Sequence, residues 1–165
     1  MRKLLITSII LLFGLNLMAQ GYIHMDLGSL KKRFAIVSFD GKYALGMQPE
    51  AINSIYEAPE IIFIKKGEEP VKEGEILKQR TFNIGVDEVS KTFGVWTDDK
   101  NKQMFGNAMQ DNVWQIIPAK DAEGYVYIKN TSITSANAYL ALNGADFKLT
   151  TANKNEAKWK IIRIN

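Results

Sequence analysis

One short phrase occurs three times in this chain of 165 residues: an aromatic residue, a polar residue and an isoleucine. The copies are Phe82-Asn83-Ile84, Trp114-Gln115-Ile116 and Trp159-Lys160-Ile161. Side chains two residues apart in a β-strand share a face, so the aromatic residue and the isoleucine are predicted to point inward. A phrase that recurs at the end of similar segments is typical of an internally repeated fold.

Strand signals dominate the chain between these phrases. Aromatic and β-branched runs occur at 33–39, 125–128 and 159–164, and such runs are typical of strands. Dipeptides that favour turns separate them, at Asp40-Gly41, Glu123-Gly124 and Asn143-Gly144. Sustained helical spacing is missing after the first twenty residues, apart from a turn around 50–56. The sequence therefore predicts an all-β protein.

The segments that end in the repeated phrase align as three lobes. The predicted lobes are 34–84, 85–118 and 119–165, closed by Phe82, Trp114 and Trp159. The first lobe carries inserted residues, and the proline-containing stretch 48–60 and the charged stretch 65–75 are both predicted to be solvated loops. One such lobe cannot bury its apolar face alone. A closed arrangement of three lobes provides a shared core and leaves few exposed sheet edges.

The first nineteen residues have the layout of a secretory signal peptide. Met1-Arg2-Lys3 is a cationic start, Leu4 to Leu17 is mostly apolar, and Leu17-Met18-Ala19 offers small-residue cleavage chemistry. The apolar run is too short for a stable membrane span. We predict export, to the extracellular space or a periplasm, with 20–33 as an N-terminal extension and 34–165 as the folded domain.

Charge and residue counts exclude several classes of function. Arg2 and Lys3 leave with the signal peptide, so the 21 basic and 18 acidic side chains become 19 and 18. This balance gives no support to nucleic-acid binding. The chain has no cysteine, which excludes disulfides, a thiol nucleophile and a cysteine zinc site. Its one histidine, His24, lies in the extension, so neither a catalytic histidine nor a histidine metal site is expected. We expect no cofactor.

The closing pattern resembles the ricin-type lectin family of β-trefoils, whose lobes end with a glutamine, one residue, a tryptophan and a β-branched strand. The resemblance covers about residues 30–165 and is clearest from Asn112 onward. It implies a β-trefoil with three pseudo-repeated lobes that binds a glycan or polysaccharide without catalysis. In that family an aromatic platform lies on the third strand of a lobe, and Phe105 matches it. An amide pair precedes the closing tryptophan, and Asp111 and Asn112 match that pair.

The second lobe gathers the residue types that bind sugars. A sugar site needs an aromatic surface for the apolar C–H face and a few polar side chains for the hydroxyls. The candidate ligand-binding residues are Trp96, Gln103, Phe105, Asp111 and Asn112. Phe105 has an alternative interpretation as a core residue, because apolar strand residues are usually interior. The aspartate that the family places on the second strand is missing, since Leu45, Gly94 and Ala141 stand at the nearest positions.

No pair of acids is placed for catalysis, so we do not expect an enzyme. Glu68-Glu69, Asp87-Glu88 and Asp98-Asp99 are sequence neighbours, and neighbours on an extended chain point apart. The stretch from Asp98 to Asn101 is predicted to be a polar hairpin tip rather than a calcium loop.

A different class of function remains open. A secreted protein-binding trefoil, such as an inhibitor or an interaction factor, would use the loop 48–60 to contact a protein partner. In that interpretation Ile52, Ile55 and Tyr56 are exposed on the loop.

Overall fold

A computed structural model describes residues 33–64, 81–108 and 112–164. These residues form one antiparallel sheet of twelve strands, with two short 3-10 helices at Ile55–Glu57 and Asn155–Ala157. The strands are β1 (Arg33–Ser38), β2 (Tyr43–Leu45), β3 (Pro49–Ala51), β4 (Ile61–Ile64), β5 (Thr81–Val86), β6 (Glu88–Thr97), β7 (Gln103–Asn107), β8 (Trp114–Pro118), β9 (Val126–Asn130), β10 (Tyr139–Asn143), β11 (Asp146–Thr150) and β12 (Lys158–Ile164). The predicted all-β class is confirmed.

Half of the strands form a closed ring, which we call the strand ring. Its order is β1, β4, β5, β8, β9 and β12, and β12 pairs with β1 to close it. The other strands form the hairpins β2–β3, β6–β7 and β10–β11, and each hairpin pairs with the ring through its first strand. The chain thus repeats one pairing scheme in three units, β1–β4, β5–β8 and β9–β12.

The register of the ring identifies equivalent positions in the three units. The pairs at one such position are Phe34 with Ile61, Phe82 with Trp114, and Val126 with Trp159. Ile61 is therefore the equivalent of the two tryptophans, and all three side chains are fully buried. Phe82 lies on β5, the first strand of the second unit, so its alignment with the tryptophans as a closing residue was wrong. Side chains alternate with a period of two in every half-buried strand. A phrase of three residues therefore cannot distinguish the first strand of a unit from its last strand.

The two closing tryptophans connect the second and third hairpins to the buried core. Trp114 Nε1 donates to the carbonyl oxygen of Phe93 at 3.0 Å, and Trp159 Nε1 donates to that of Leu140 at 2.9 Å. Both bonds are buried, so each satisfies a donor and an acceptor that would otherwise be costly in the interior. The side chains of β1, β5 and β9 that face the strand ring's interior complete this core.

The segment 48–60 departs from the predicted solvated loop. Pro49–Ala51 is the edge strand β3, where a proline at the first residue costs no ladder hydrogen bond. Ala58 and Pro59 are buried, and Ile52 and Ile55 are partly buried against a cluster on the outer faces of β1 and β12. Strands that are apolar on both faces need a cover on each, and this segment provides the second one.

Several predictions fall outside the described residues. These are the signal peptide 1–19, nearly all of the extension 20–33, the charged stretch 65–75, and Asp111. In residues 33–64, 81–108 and 112–164 no helix has the length and apolar character that a membrane crossing requires.

Candidate functional site

The hairpin β6–β7 separates the predicted sugar-binding residues onto two faces. Trp96 pairs with Met104, Val95 with Phe105 and Thr97 with Gln103. Residues directly opposite each other share a face of the hairpin, and successive residues alternate. Trp96 therefore lies on the outer face, whereas Phe105 and Gln103 lie on the face that continues into the core.

Phe105 is a core residue. It is 9% exposed, and its ring centroid lies 5.8 Å from that of Phe147 and 6.5 Å from that of Phe93. Phe105 and Phe147 are also equivalent in the repeat. Their partners Val95 and Leu142 each lie two residues after the residue whose carbonyl oxygen accepts from a closing tryptophan. The structure supports the core interpretation of Phe105 over the platform interpretation.

The same register identifies the positions that are equivalent to Thr150 at the end of β11. Thr150 pairs with Tyr139, and the equivalent hydrogen bond joins the Ala108 amide to the carbonyl oxygen of Thr92 at 2.8 Å. The equivalent positions in the three units are Glu50, Ala108 and Thr150. None of these side chains is aromatic, so none of the three positions offers an aromatic surface.

Asn112 links the hairpin to the strand ring. Its Oδ1 accepts hydrogen bonds from the backbone amide of Val95 and from Asn130 Nδ2, each at 3.0 Å. Its carboxamide packs over Gly94, where an added Cβ would lie 2.6 Å from Asn112 Cγ. A glycine is therefore required beneath it. These contacts give Asn112 a structural role beside the outer face.

Of the predicted site residues that the structure describes, Trp96 and Gln103 are exposed, and Trp96 is the aromatic one. It is 42% exposed, and its ring lies against Gly106, where an added Cβ would be 3.5 Å from Trp96 Cη2. Gly106 has a φ of 147°, a conformation that favours glycine. The Gln48 side chain of the first unit reaches the same place, because its Nε2 donates to the Phe105 carbonyl oxygen at 2.9 Å. The result is a supported indole surface with a neighbouring amide.

Asp98 and Asp87, from the two acid pairs that the structure describes, accept hydrogen bonds from nearby backbone amides. Asp98 Oδ1 accepts from the amides of Lys100 at 2.9 Å and Lys102 at 2.7 Å, which confirms the predicted hairpin tip between β6 and β7. Asp87 Oδ1 accepts from the Glu60 amide at 3.0 Å. Across the described ranges, histidine and acidic side chains do not come together in groups of three that could hold a metal ion.

A polar network missed by the sequence analysis fastens the connection before β9. Lys158 Nζ lies 2.7 Å from Asp121 Oδ2 and 3.0 Å from Asn155 Oδ1, with the lysine side chain only 8% exposed. The Lys158 hydrogen bond lowers the pKa of Asp121. Burial, followed by the hydrogen bond from its hydroxyl to Asp121, raises the pKa of Tyr127 to about 12. These contacts connect the segment before β9 to the start of β12.

Two open grooves also escaped the sequence analysis. They lie on either side of the turn 39–42, with volumes of about 420 Å³ and about 340 Å³. The sequence did contain one signal for this surface. Side chains alternate along β1, so Phe34, Ile36 and Ser38 share one face. Phe39, which follows β1 directly before Asp40-Gly41, lies on the other face. Phe39 is 39% exposed.

No protein-family model matches this chain, and a search of curated proteins finds none that is similar to it.

Proposed function

We propose that the protein is an exported, non-catalytic carbohydrate-binding module with a β-trefoil fold. A ring of six strands that carries three hairpins, repeated with the same register in three units, is the arrangement expected of a β-trefoil. The signal-peptide pattern of residues 1–19 supports export. The carboxylates described above hold turns and junctions, which favours binding over catalysis.

The exposed indole of Trp96 carries the proposal. Burying a large aromatic side chain is favourable, yet 42% of this residue stays in contact with solvent. Gly106 has no side chain of its own, so the indole ring rests against its backbone. A flat apolar surface beside the Gln48 amide suits a sugar, which offers a C–H face to the ring and hydroxyls to the amide.

The test uses the chain from residue 20 onward, against a glycan array and in pull-down with insoluble polysaccharides. Trp96→Ala is expected to weaken binding about two- to tenfold, the range of one aromatic contact. Tyr56→Ala is the matched control, because Tyr56 is also an exposed aromatic residue and belongs to another unit. Failure of the unmodified protein to bind any glycan at high protein concentration would remove the proposal.

A second candidate function is protein binding through the segment 48–60. Tyr56 supports it, because this residue is 76% exposed and projects from a short helix held by local hydrogen bonds. The Ser54 hydroxyl accepts from the Tyr56 amide at 3.3 Å, and Glu57 Oε2 accepts from the Asn53 amide at 2.9 Å. Loss of an extracellular protein partner in Tyr56→Ala, with glycan binding retained, would favour this candidate.

A further inference from the structure

The three junctions between units use equivalent residues with different chemistry. We call a junction the place where the residue after a unit's first strand meets the residue just before a closing residue. The closing residues are Ile61, Trp114 and Trp159. At one junction the Asp87 amide donates to the Glu60 carbonyl oxygen at 2.7 Å, and Asp87 Oδ1 accepts from the Glu60 amide at 3.0 Å. At the next, the amide and hydroxyl of Thr131 donate to the Val113 carbonyl oxygen at 2.8 and 2.9 Å. Short polar side chains close both junctions.

At the third junction the equivalent residue is Phe39. Its ring centroid lies 4.9 Å from that of Tyr125 and 5.5 Å from Lys158 Nζ. Lys160 Nζ in turn lies 5.8 Å from the Tyr125 centroid. The two rings are therefore held against the lysines of β12 by cation–π contacts. This junction presents an aromatic pair at the surface in place of a short polar side chain.

The two grooves share this junction as their common wall. Ser38, Phe39 and Asp40 line both of them. The larger groove continues toward the β10–β11 turn and the helix Asn155–Ala157, and its polar side chains include Lys42, Tyr43, Asn155 and Glu156. The smaller groove continues toward the segment after β3, and its polar side chains include Asn53, Ser54 and Lys160. Each groove has the size of a small-molecule site.

The carboxylate of Asp40 is fixed at the centre of this surface. Its Oδ1 accepts from Ser38 Oγ at 2.7 Å and from the Lys42 amide at 3.1 Å. The Ser38 hydroxyl also accepts from the Tyr43 amide at 3.0 Å, so the whole turn is braced. The bond from Ser38 is the main cause that lowers the pKa of Asp40. These bonds engage Oδ1 and leave Oδ2 for a ligand, and a braced acceptor loses little freedom on binding.

We propose that the Phe39 turn and the grooves beside it form a second saccharide site, for an oligosaccharide that crosses the Phe39 ring and extends into both grooves. The exposed ring fits the apolar face of one sugar unit, and Asp40 Oδ2 accepts from a hydroxyl of that unit. Each groove holds both a carboxylate and a lysine, which favours a neutral chain rich in hydroxyl groups over a strongly charged ligand. The site extends the proposed carbohydrate-binding function but does not involve the Trp96 surface.

The test measures binding of neutral gluco-, galacto- and xylo-oligosaccharides of two to six units to the chain from residue 20 onward. Phe39→Ala is expected to weaken the affinity about two- to tenfold. Asp40→Asn is expected to weaken it about tenfold or more, because a hydrogen bond to a charged acceptor is lost. Longer oligosaccharides should bind more tightly than the disaccharide, since only they reach both grooves. Ligand-induced shifts of the Phe39 and Tyr125 ring resonances report the same site without mutation.

Trp96→Ala separates the two proposals. If Trp96→Ala abolishes all glycan binding while Phe39→Ala and Asp40→Asn bind as the unmodified protein does, the second site is overturned and the first stands. If only the Phe39 and Asp40 variants lose affinity, the second site stands and the Trp96 surface does not bind. Unchanged ring resonances at saturating oligosaccharide, or shifts caused by a peptide alone, also overturn the second site. If Phe39→Ala fails to fold, the ring-resonance shifts of the unmodified protein and the affinity of Asp40→Asn test the second site instead.

Discussion

The first unit follows the same pairing scheme as the other two but is held together differently. In the second and third units a closing tryptophan donates to the first strand of its own hairpin. In the first unit Ile61 stands at the closing position and has no donor to offer, and the hairpin β2–β3 has strands of three residues. The comparison indicates that the fold requires a large apolar side chain at each closing position. An indole hydrogen bond accompanies only the longer hairpins.

The chain that follows the short first hairpin covers part of the strand ring. Residues 52–58 turn back over the outer faces of β1 and β12, where Ile52 and Ile55 pack. Beside them lies the junction at Phe39, which has an aromatic residue where the other junctions have Asp87 and Thr131. The unit that departs most from the repeat is thus the one that borders both grooves.

The largest expected effect comes from the buried phenylalanines on the second strands of the two longer hairpins. Phe105→Ala and Phe147→Ala each remove a ring from the main core and are expected to lower the free energy of unfolding by about 3–5 kcal/mol. Met47→Ala, at the tip of the first hairpin, should cost less, because Met47 is only partly buried. Urea unfolding with an unchanged m-value measures all three. An equal loss for Met47→Ala would contradict the difference between the units.

Removal of the hydrogen bonds made by the two closing tryptophans should lower the free energy of unfolding by an intermediate amount. Trp114→Phe and Trp159→Phe keep an aromatic ring but leave the carbonyl oxygens of Phe93 and Leu140 without the indole donor. A buried acceptor left unsatisfied costs about 1–3 kcal/mol, and the same unfolding experiment measures it. Similar losses in the two variants are expected from their equivalence. A loss in only one of them would break the equivalence of the second and third units.

The first unit should respond less at its closing position. Ile61→Val removes one buried methylene and no hydrogen bond, so we expect a loss of about 0.5–1.5 kcal/mol. Thermal and urea midpoints measure this change against the two tryptophan variants. A larger loss than in Trp114→Phe would mean that Ile61 has a role beyond packing.

The smallest expected effect concerns the acid dependence of the third unit. The pKa of Asp121 is lowered in the folded state, chiefly by Lys158. The stabilisation by the Asp121 carboxylate is therefore fully present above the ordinary aspartate pKa of 3.8. It is lost as the pH falls through the lower pKa of the folded state. Asp121→Asn should make the unfolding midpoint fall less steeply as the pH drops below 3.8. A steeper fall would contradict this sign.

Much of the local structure could be predicted from the sequence. The alternation in β1 and β12, the turns at Asp40-Gly41 and Asn143-Gly144, and the inward side chains of Trp114 and Trp159 follow from residue type and spacing. The candidate site was harder to predict. Trp96, Gln103 and Phe105 lie close in the sequence, but the pairing of β6 with β7 puts Trp96 on one face and the other two on the opposite face.

By itself, the sequence determined the all-β class and the period of each strand, because residue type and the alternation of side chains act within a few residues. Only the tertiary structure decided which aromatic residues are equivalent and which are exposed. Phe82 and Trp114 share a phrase but lie on different strands of one pair. Phe105 and Phe39 each follow an alternating strand pattern, yet one ring meets Phe147 in the core and the other meets Lys158 at the surface. A side chain is buried when segments distant in the sequence pack on its face of the strand. The spacing of residues along the chain does not predict this packing.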